Sequence, residues 1–159
     1  MSEELFQVTG ETIVDELDNM YLNFVVGDEI YGIEIRYVIQ IVGMQEINEM
    51  PEMQPGMKGF INLRGSVIPV FSMRYRFGKM ENDYTDRTCI IVVMINDKEI
   101  GLIVDAIQET ITIDADSISP PPGLNEVYDG HPVKGIAHLP NERTGVLLHA
   151  PNLFNVDSL

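Results

Sequence analysis

The chain has 159 residues, and 25 acidic side chains against 10 Lys and Arg give it a formal net charge of −15. This charge opposes binding to nucleic acid, whose affinity comes largely from basic side chains on phosphates, and to anionic membrane surfaces. No apolar run approaches the roughly 18 residues that a membrane-spanning helix needs, and the single cysteine, Cys89, excludes a disulfide within the chain. The length predicts one domain or two small ones, and we expect a cytoplasmic protein.

Residues 1–19 form an acidic leader without Lys or Arg, which we expect to be mobile. Two apolar, β-favouring runs follow at 21–26 and 30–35, and the Gly-Asp-Glu turn between them predicts a hairpin. The next run, 37–42, is apolar apart from Gln40. Its periodicity fits a helix as well as a strand.

The segment 56–71 is organised around a polar break between two β-favouring runs. Gly65 tolerates a positive φ, so the break predicts a tight turn that carries Arg64 at the tip of a hairpin or on its shoulder. Pro69 has no amide proton, which confines the second run to a sheet edge, a bulge or a strand end. The planar guanidinium of an exposed Arg64 suits carboxylates or helix carbonyls on a partner protein.

The second half of the chain continues the β-rich pattern. Residues 72–78 fit one or two helical turns that end at Gly78. Five β-favouring runs follow, and they predict two hairpins with a single strand between them: 89–95, 100–104, 107–113, 133–139 and 145–149. A short terminal helix is expected near Pro151.

The two halves also resemble each other. Residues 32–38 match 101–107, residues 58–63 match 134–139, and nearly the same chain length separates the members of each pair. Chance similarity between β-rich segments is the alternative explanation. An internal duplication predicts two small antiparallel barrels of about five strands each. The approximate limits are 20–85 and 86–155, with a tail at 156–159.

No motif for metal binding or catalysis stands out. The histidines lack partners at metal-ligand spacing, and the calcium-loop start at Asp114 and Asp116 fails at Ile118 and Ser119. Cys89 lies in an apolar run rather than in an electropositive cleft. We therefore predict no metal, no cofactor and no enzymatic activity. A small-ligand-binding or enzymatic barrel is the competing class, and a pocket with converging polar groups would reveal it.

Several stretches together carry a family pattern: Lys58-Gly59-x-Ile61-Asn62-Leu63-Arg64-Gly65-x-Val67-Ile68-Pro69-Val70, Tyr31-Gly32-Ile33-x-Ile35, Ile100-Gly101-x-Ile103-Val104-Asp105, Ile118-x-Pro120-x-Pro122, and Gly135-Ile136 followed by Val146-Leu147-Leu148. With these motifs the chain resembles the CheW family, the coupling proteins of bacterial chemotaxis, over about residues 20–155. Three positions depart from the family pattern. Ser72 stands where Asp is usual, Gln40 where Glu is frequent, and Ser119 where some members have a basic residue.

The resemblance implies an all-β fold with short helices: two five-stranded antiparallel barrels of SH3 or OB type, packed side by side along a hydrophobic seam, with elements that can be exchanged. It implies a non-catalytic adaptor that couples the cytoplasmic tip of methyl-accepting chemoreceptors to the regulatory domain of the CheA histidine kinase. Such an adaptor is expected to be a monomer when free and part of a ring in the membrane-associated array. The alternative is an adaptor of another receptor–kinase array, controlling surface motility or second-messenger synthesis.

We expect the receptor tip, a helical hairpin, to bind in a groove between the barrels by helix-in-groove recognition. Equivalent positions of the two halves are expected to face each other at this seam, although core packing explains each apolar residue equally well. The expected groove residues are Ile35, Val38, Ile41, Gly59, Asn62, Arg64, Val104 and Ile107. The expected kinase contacts, on sheet edges at the far ends of the barrels, are Val67, Ile68 and Leu124.

Overall fold

The structure is a computed structural model that describes residues 17, 19–123, 130–156 and 159. Apart from two positions, the predicted acidic leader at 1–19 lies outside this part of the chain. Leu124, one of the expected kinase contacts, also lies outside the described residues. The tail at 156–159 is described only at its two ends.

The described residues form mainly β-strands, and their order follows the predicted runs. The strands are β1 (Met20–Val26), β2 (Glu29–Glu34), β3 (Val38–Gly43), β4 (Met57–Leu63), β5 (Ser66–Ser72), β6 (Cys89–Ile95), β7 (Lys98–Val104), β8 (Ala106–Thr112), β9 (Val133–Leu139) and β10 (Arg143–Leu148). The predicted hairpins are confirmed. The ambiguous run at 37–42 is a strand, β3.

A short α-helix, α1 (Met73–Arg76), follows β5. The Ser72 hydroxyl accepts a hydrogen bond from the Tyr75 amide at 3.2 Å, which caps the helix, and Gly78, with φ of 71°, follows its end. Ser72 therefore performs the capping that an Asp at this position would also perform. Short 3-10 helices lie at Ile35–Tyr37, Ala115–Ser117 and Ala150–Asn152, the last containing Pro151, near which the sequence predicts a terminal helix.

The strands form two five-stranded sheets, in the order β8-β1-β2-β10-β9 and β3-β6-β7-β5-β4. The prediction of two five-stranded units is confirmed, and two details differ from it. Each sheet contains one parallel pair, β2 with β10 and β5 with β7. Within the described chain each sheet is also open, since its end strands share no hydrogen-bonded ladder.

Both sheets take strands from both halves of the chain, because β1 and β2 belong with β8 to β10 while β6 and β7 belong with β3 to β5. The pairings correspond position by position. Gly32 lies opposite Asn23 and beside Leu147, and Gly101 lies opposite Val92 and beside Val70. The segments that the sequence comparison aligned therefore occupy equivalent places in the two sheets.

A single antiparallel bridge joins the ends of each sheet. Asn48, which follows β3, exchanges backbone hydrogen bonds of 2.8 and 2.9 Å with Phe60 of β4, and Ser119 exchanges bonds of 2.9 and 2.7 Å with Ile136 of β9. Gly59 has a φ of 140° and lies directly against the Asn48 carbonyl, where a Cβ atom would overlap the oxygen. Gly59 is thus required by this bridge. The expected place of Gly59 in the receptor groove stays a prediction.

In the part of the chain that the structure describes, the core consists of three apolar clusters. The largest draws buried side chains from both sheets, including Phe24, Ile33, Phe71 and Leu102, and so joins the sheets to each other. A second cluster is confined to the β3–β7 sheet, and a third to the β1–β2–β8–β9–β10 sheet and the segments beside it. Burial of this apolar area supplies the main driving force for folding.

Candidate partner-binding surfaces

Arg64 is held at the tip of the β4–β5 hairpin. Leu63 pairs with Ser66, so the turn contains only Arg64 and Gly65, with φ values of 50° and 86°. Two consecutive positive φ values define the turn type that matches the twist of a two-residue hairpin. The predicted turn is confirmed, and the Arg64 side chain is exposed.

Arg64 is also unusual among the basic residues of this acidic chain. The other Lys and Arg side chains of the described residues form hydrogen bonds or ion pairs, with the exception of Arg87. The guanidinium of Arg64 has five donors and, among the described residues, no acceptor. An exposed, unpaired guanidinium is available to a partner.

The strands beside Arg64 present a mixed surface. Asn62 is exposed and pairs with Val67, which is 64% exposed. Ile68, expected as a kinase contact, is instead 1% exposed and belongs to the core of the second sheet. Because successive side chains of a strand point to opposite faces, Val67 and Ile68 cannot both face a partner.

The expected groove walls fall into two groups. Ile35, Val38 and Ile107 are half-buried and pack at the margin of the cluster that joins the sheets, and Ile41 is 43% exposed. Val104 is corrected to a core residue, since it is 1% exposed within that cluster. The alternative of core packing therefore holds for Val104.

Val38 and Ile107, which the two halves of the sequence align, also occupy equivalent positions in the strand register. Val38 at the start of β3 lies opposite Val93, and Ile107 on β8 lies opposite Phe24. Both strands are end strands of their sheets, so each has one edge without a ladder partner in the described chain. Sequence reasoning missed Ile39, which is exposed on β3; the signal was the edge position, which only the topology reveals.

Each parallel strand pair carries an open groove. Beside β5 and β7 the groove has a volume of about 300 Å³ and is lined by Val67, Pro69, Lys98, Glu99 and Leu159. Beside β2 and β10 the groove has about 350 Å³ and is lined by Asp28, Glu29, Ile30, Arg143, Thr144 and Val146. Both grooves combine apolar with charged side chains.

A polar cluster ties the two sheets together behind these surfaces. Arg74 donates to both carboxylate oxygens of Asp105, at 3.0 and 2.6 Å, and the Gly27 amide donates to Asp105 at 2.8 Å. The hydrogen bond to Asp105 raises the pKa of Arg74, although burial opposes the shift. The cavity beside this pair has only about 90 Å³, well below the roughly 300 Å³ of ordinary ligand pockets.

The described residues contain no group of three or more His, Cys, Asp or Glu side chains arranged to hold a metal ion. Within the same residues, no helix is long and apolar enough to cross a membrane. The Arg74–Asp105 cluster is paired internally, whereas the exposed features include the unpaired Arg64 and apolar strand edges. Fold and surface together fit a protein-binding module made of two equivalent β-sheets.

Comparison with known proteins agrees with this class. The family model of the CheW-like domain matches residues 20–158. The chemotaxis protein CheW of Klebsiella aerogenes is 27% identical over 153 residues, covering 96% of this chain and 89% of that protein. A probable chemotaxis protein CheW of Rhizobium etli is 31% identical over 138 residues, covering 87% and 88%. The crystal structure of the scaffolding protein TtCheW from Thermoanaerobacter tengcongensis aligns with a TM-score of 0.76 and 34% identity, over 89% of this chain and 96% of that one.

The chain therefore belongs to the CheW family, the coupling adaptors of chemotaxis. Membership in this scaffold family also makes the chain a non-catalytic protein.

Proposed function

We propose that this adaptor couples the cytoplasmic tip of chemoreceptors to the regulatory domain of a CheA-type histidine kinase. The observation that carries the proposal is the exposed Arg64, unpaired among the described residues, on a tight two-residue turn in a chain whose net charge is −15. A guanidinium can bind a carboxylate or the carbonyl end of a helix in two parallel hydrogen bonds. A helical receptor tip offers both kinds of acceptor.

The receptor is proposed to lie along the seam between the sheets. Ile35, Val38 and Ile107 leave part of their apolar surface exposed at the margin of the joining cluster, and Ile41 extends it along β3. An amphipathic helix binds such a surface through apolar side chains spaced three and four residues apart. Asn62 and Arg64 then supply polar contacts.

The kinase is proposed to contact the grooves on the two parallel strand pairs. Val67 lines the groove beside β5 and β7, and Glu29 and Arg143 line the groove beside β2 and β10. Since the two grooves lie on different sheets, they offer two separate contact surfaces to kinase domains. This arrangement supports a ring in which adaptor and kinase domains alternate, and we propose that the free adaptor is a cytoplasmic monomer.

A receptor–kinase array that controls surface motility or second-messenger synthesis would use the same surfaces. In this alternative the partners are different proteins, but the binding mechanism is the same. A small-ligand function finds less support, because the polar cavity near Arg74 is small and its guanidinium already binds Asp105.

The proposal is tested by measuring the two partners separately. We expect the wild-type chain to sediment with receptor-containing membranes, and to bind the isolated regulatory domain of the kinase in titration calorimetry. Binding of neither partner by folded protein contradicts the proposal. Binding of partners from another array, with none from the chemotaxis array, favours the alternative that the adaptor serves that other array.

A further inference from the structure

A buried carboxylate lies where the chain first crosses from one sheet to the other. Glu34 ends β2, and only 1% of it is exposed. The following residues, Ile35–Tyr37, form the 3-10 helix that leads into β3. The contacts of Glu34 therefore fix the start of the segment that carries Ile35 and Val38.

Three basic side chains from separate segments surround the Glu34 carboxylate. Arg36 Nη2 lies 3.0 Å and Lys134 Nζ 3.4 Å from Oε2, and His149 Nδ1 lies 3.2 Å from Oε1. Lys134 belongs to β9, the end strand of the first sheet, and His149 directly follows β10. The carboxylate thus ties the crossover to β9, one end strand of its own sheet, and to the residue that follows β10.

Two tyrosines extend the network. Lys134 Nζ donates to the Tyr21 hydroxyl at 2.6 Å. The rings of Tyr37 and His149 are arranged edge to face, with their centroids 6.2 Å apart. Burial alone would lower the pKa of Lys134, but the hydrogen bond to Tyr21 and the charge of Glu34 outweigh it, so the pKa is raised. Lys134 accordingly remains charged beside Glu34.

The fold itself does not require a carboxylate at this place. Glu34 lies opposite Tyr21 on β1, and the equivalent position of the second sheet is Ile103, opposite Ile90 on β6. Ile103 is 6% exposed and packs in an apolar cluster. Burying a carboxylate is unfavourable unless several partners compensate it, whereas an apolar residue of similar size needs none. The buried carboxylate is thus a feature of the first sheet and not of the repeated architecture.

We propose that Glu34 is a positioning residue for receptor binding. Its network holds the crossover so that Ile35 and Val38 stand at the seam in the orientation that a receptor helix needs. This inference rests on the proposed function. It predicts that loss of the carboxylate weakens the receptor contact while leaving the distant kinase contact intact.

The test compares both affinities in the variants Glu34→Gln, Glu34→Asp and Asp114→Asn. Asp114→Asn is the control, since it removes a negative charge from an exposed position. We expect Glu34→Gln to lower the affinity for receptor membranes about fivefold or more, because residues that act through a neighbour alter coupling by that order. Its affinity for the kinase regulatory domain is expected to stay within about twofold, as for independent distant sites. Glu34→Asp, which keeps the charge, is expected to recover part of the receptor affinity.

An equal loss for both partners, counted per folded molecule, overturns the inference, and so does an unchanged receptor affinity of Glu34→Gln. A wild-type chain that binds no receptor overturns the proposed function and this inference with it. Wild-type binding with an unaffected Glu34→Gln variant overturns the inference alone.

Hydrogen exchange on the free protein provides a test for the case in which Glu34→Gln fails to fold. His149→Asn leaves Glu34 with Arg36 and Lys134, so this variant is milder. We expect the amides of residues 35–38 to exchange faster in His149→Asn than in the wild type, while the central strand β6 keeps its protection. Unchanged exchange at 35–38 overturns the inference.

Discussion

Gly59 lies against the backbone carbonyl of Asn48, and this contact closes the end of the second sheet. A side chain at position 59 would overlap that oxygen, in addition to the strain of a φ of 140°. At the equivalent Gly135, an added Cβ would overlap the Ile118 side chain and also lie close to the Ser119 carbonyl. The glycine of the family motif therefore serves the bridge to Asn48 rather than the turn that carries Arg64.

We expect Gly59→Ala to lower the free energy of unfolding by about 3 kcal/mol or more, because backbone strain and a backbone overlap both oppose the native state. Gly78→Ala is the matched control, since Gly78 also has a positive φ, 71°, but an added Cβ would meet open space. Its expected cost is about 1–2 kcal/mol from strain alone. Urea denaturation measures both, and equal losses would contradict the role assigned to Asn48.

The ion pair between Arg74 and Asp105 is expected to stabilise the joint between the sheets. Asp105→Asn removes the charge that Arg74 and the Gly27 amide bind, and we expect a loss of about 1–3 kcal/mol for these partly buried charge-assisted bonds. Glu109→Gln is the control, because the pair of Glu109 with Arg143 is largely exposed and contributes about 0–1 kcal/mol. Thermal unfolding that shows equal changes for both variants contradicts this account.

Substitutions of exposed apolar residues at the two proposed interfaces are expected to weaken the binding of one partner each. Ile41→Ser on β3 is expected to weaken receptor binding about 5- to 30-fold and to spare the kinase, as truncation of a central contact residue does. Val67→Ser is expected to do the reverse. Ile41 is 43% and Val67 64% exposed, so the melting temperature is expected to stay within a few degrees. The same loss of both partners in each variant would refute the separation of the surfaces.

Cutting the chain near residue 86 is expected not to release two folded halves. Each sheet takes strands from both sides of this cut, so either half alone would expose unpaired strands. We expect residues 20–85 and 86–155 to be unfolded when expressed separately and to assemble when expressed together. Circular dichroism and gel filtration check this, and cooperative unfolding of one isolated half contradicts it.

Local patterns predicted the hairpins and the Arg64 turn because both depend on neighbouring residues. A polar two-residue break with Gly65 fixes a hairpin register, and alternating or continuous apolar runs fix the strands on either side. Ser72 and Gly78 marked the two ends of α1 in the same way. These features carry their own signal in the sequence.

The long-range arrangement carries no such signal. The parallel pairing of β5 with β7 joins strands far apart in the chain, and it decides that Val67 faces a groove while Ile68 faces the core. Val104 is buried for the same kind of reason, since β7 lies in the centre of its sheet. The contacts of Glu34 with Lys134 and His149 also depend on which strands meet, so the sequence alone does not reveal that network.

The central claim is that this adaptor joins a receptor to a kinase, with Arg64 at the contact. Its most direct test is co-sedimentation of the CheA-type kinase with receptor-containing membranes, in the presence of the wild type, Arg64→Ala or Arg87→Ala. Arg87 is the matched control because it is also exposed and, among the described residues, has no side-chain acceptor. We expect the kinase to sediment and respond to the receptor with the wild type and Arg87→Ala, and much less with Arg64→Ala at an unchanged melting temperature. Equal sedimentation with Arg64→Ala, or none with the folded wild type, would contradict the claim.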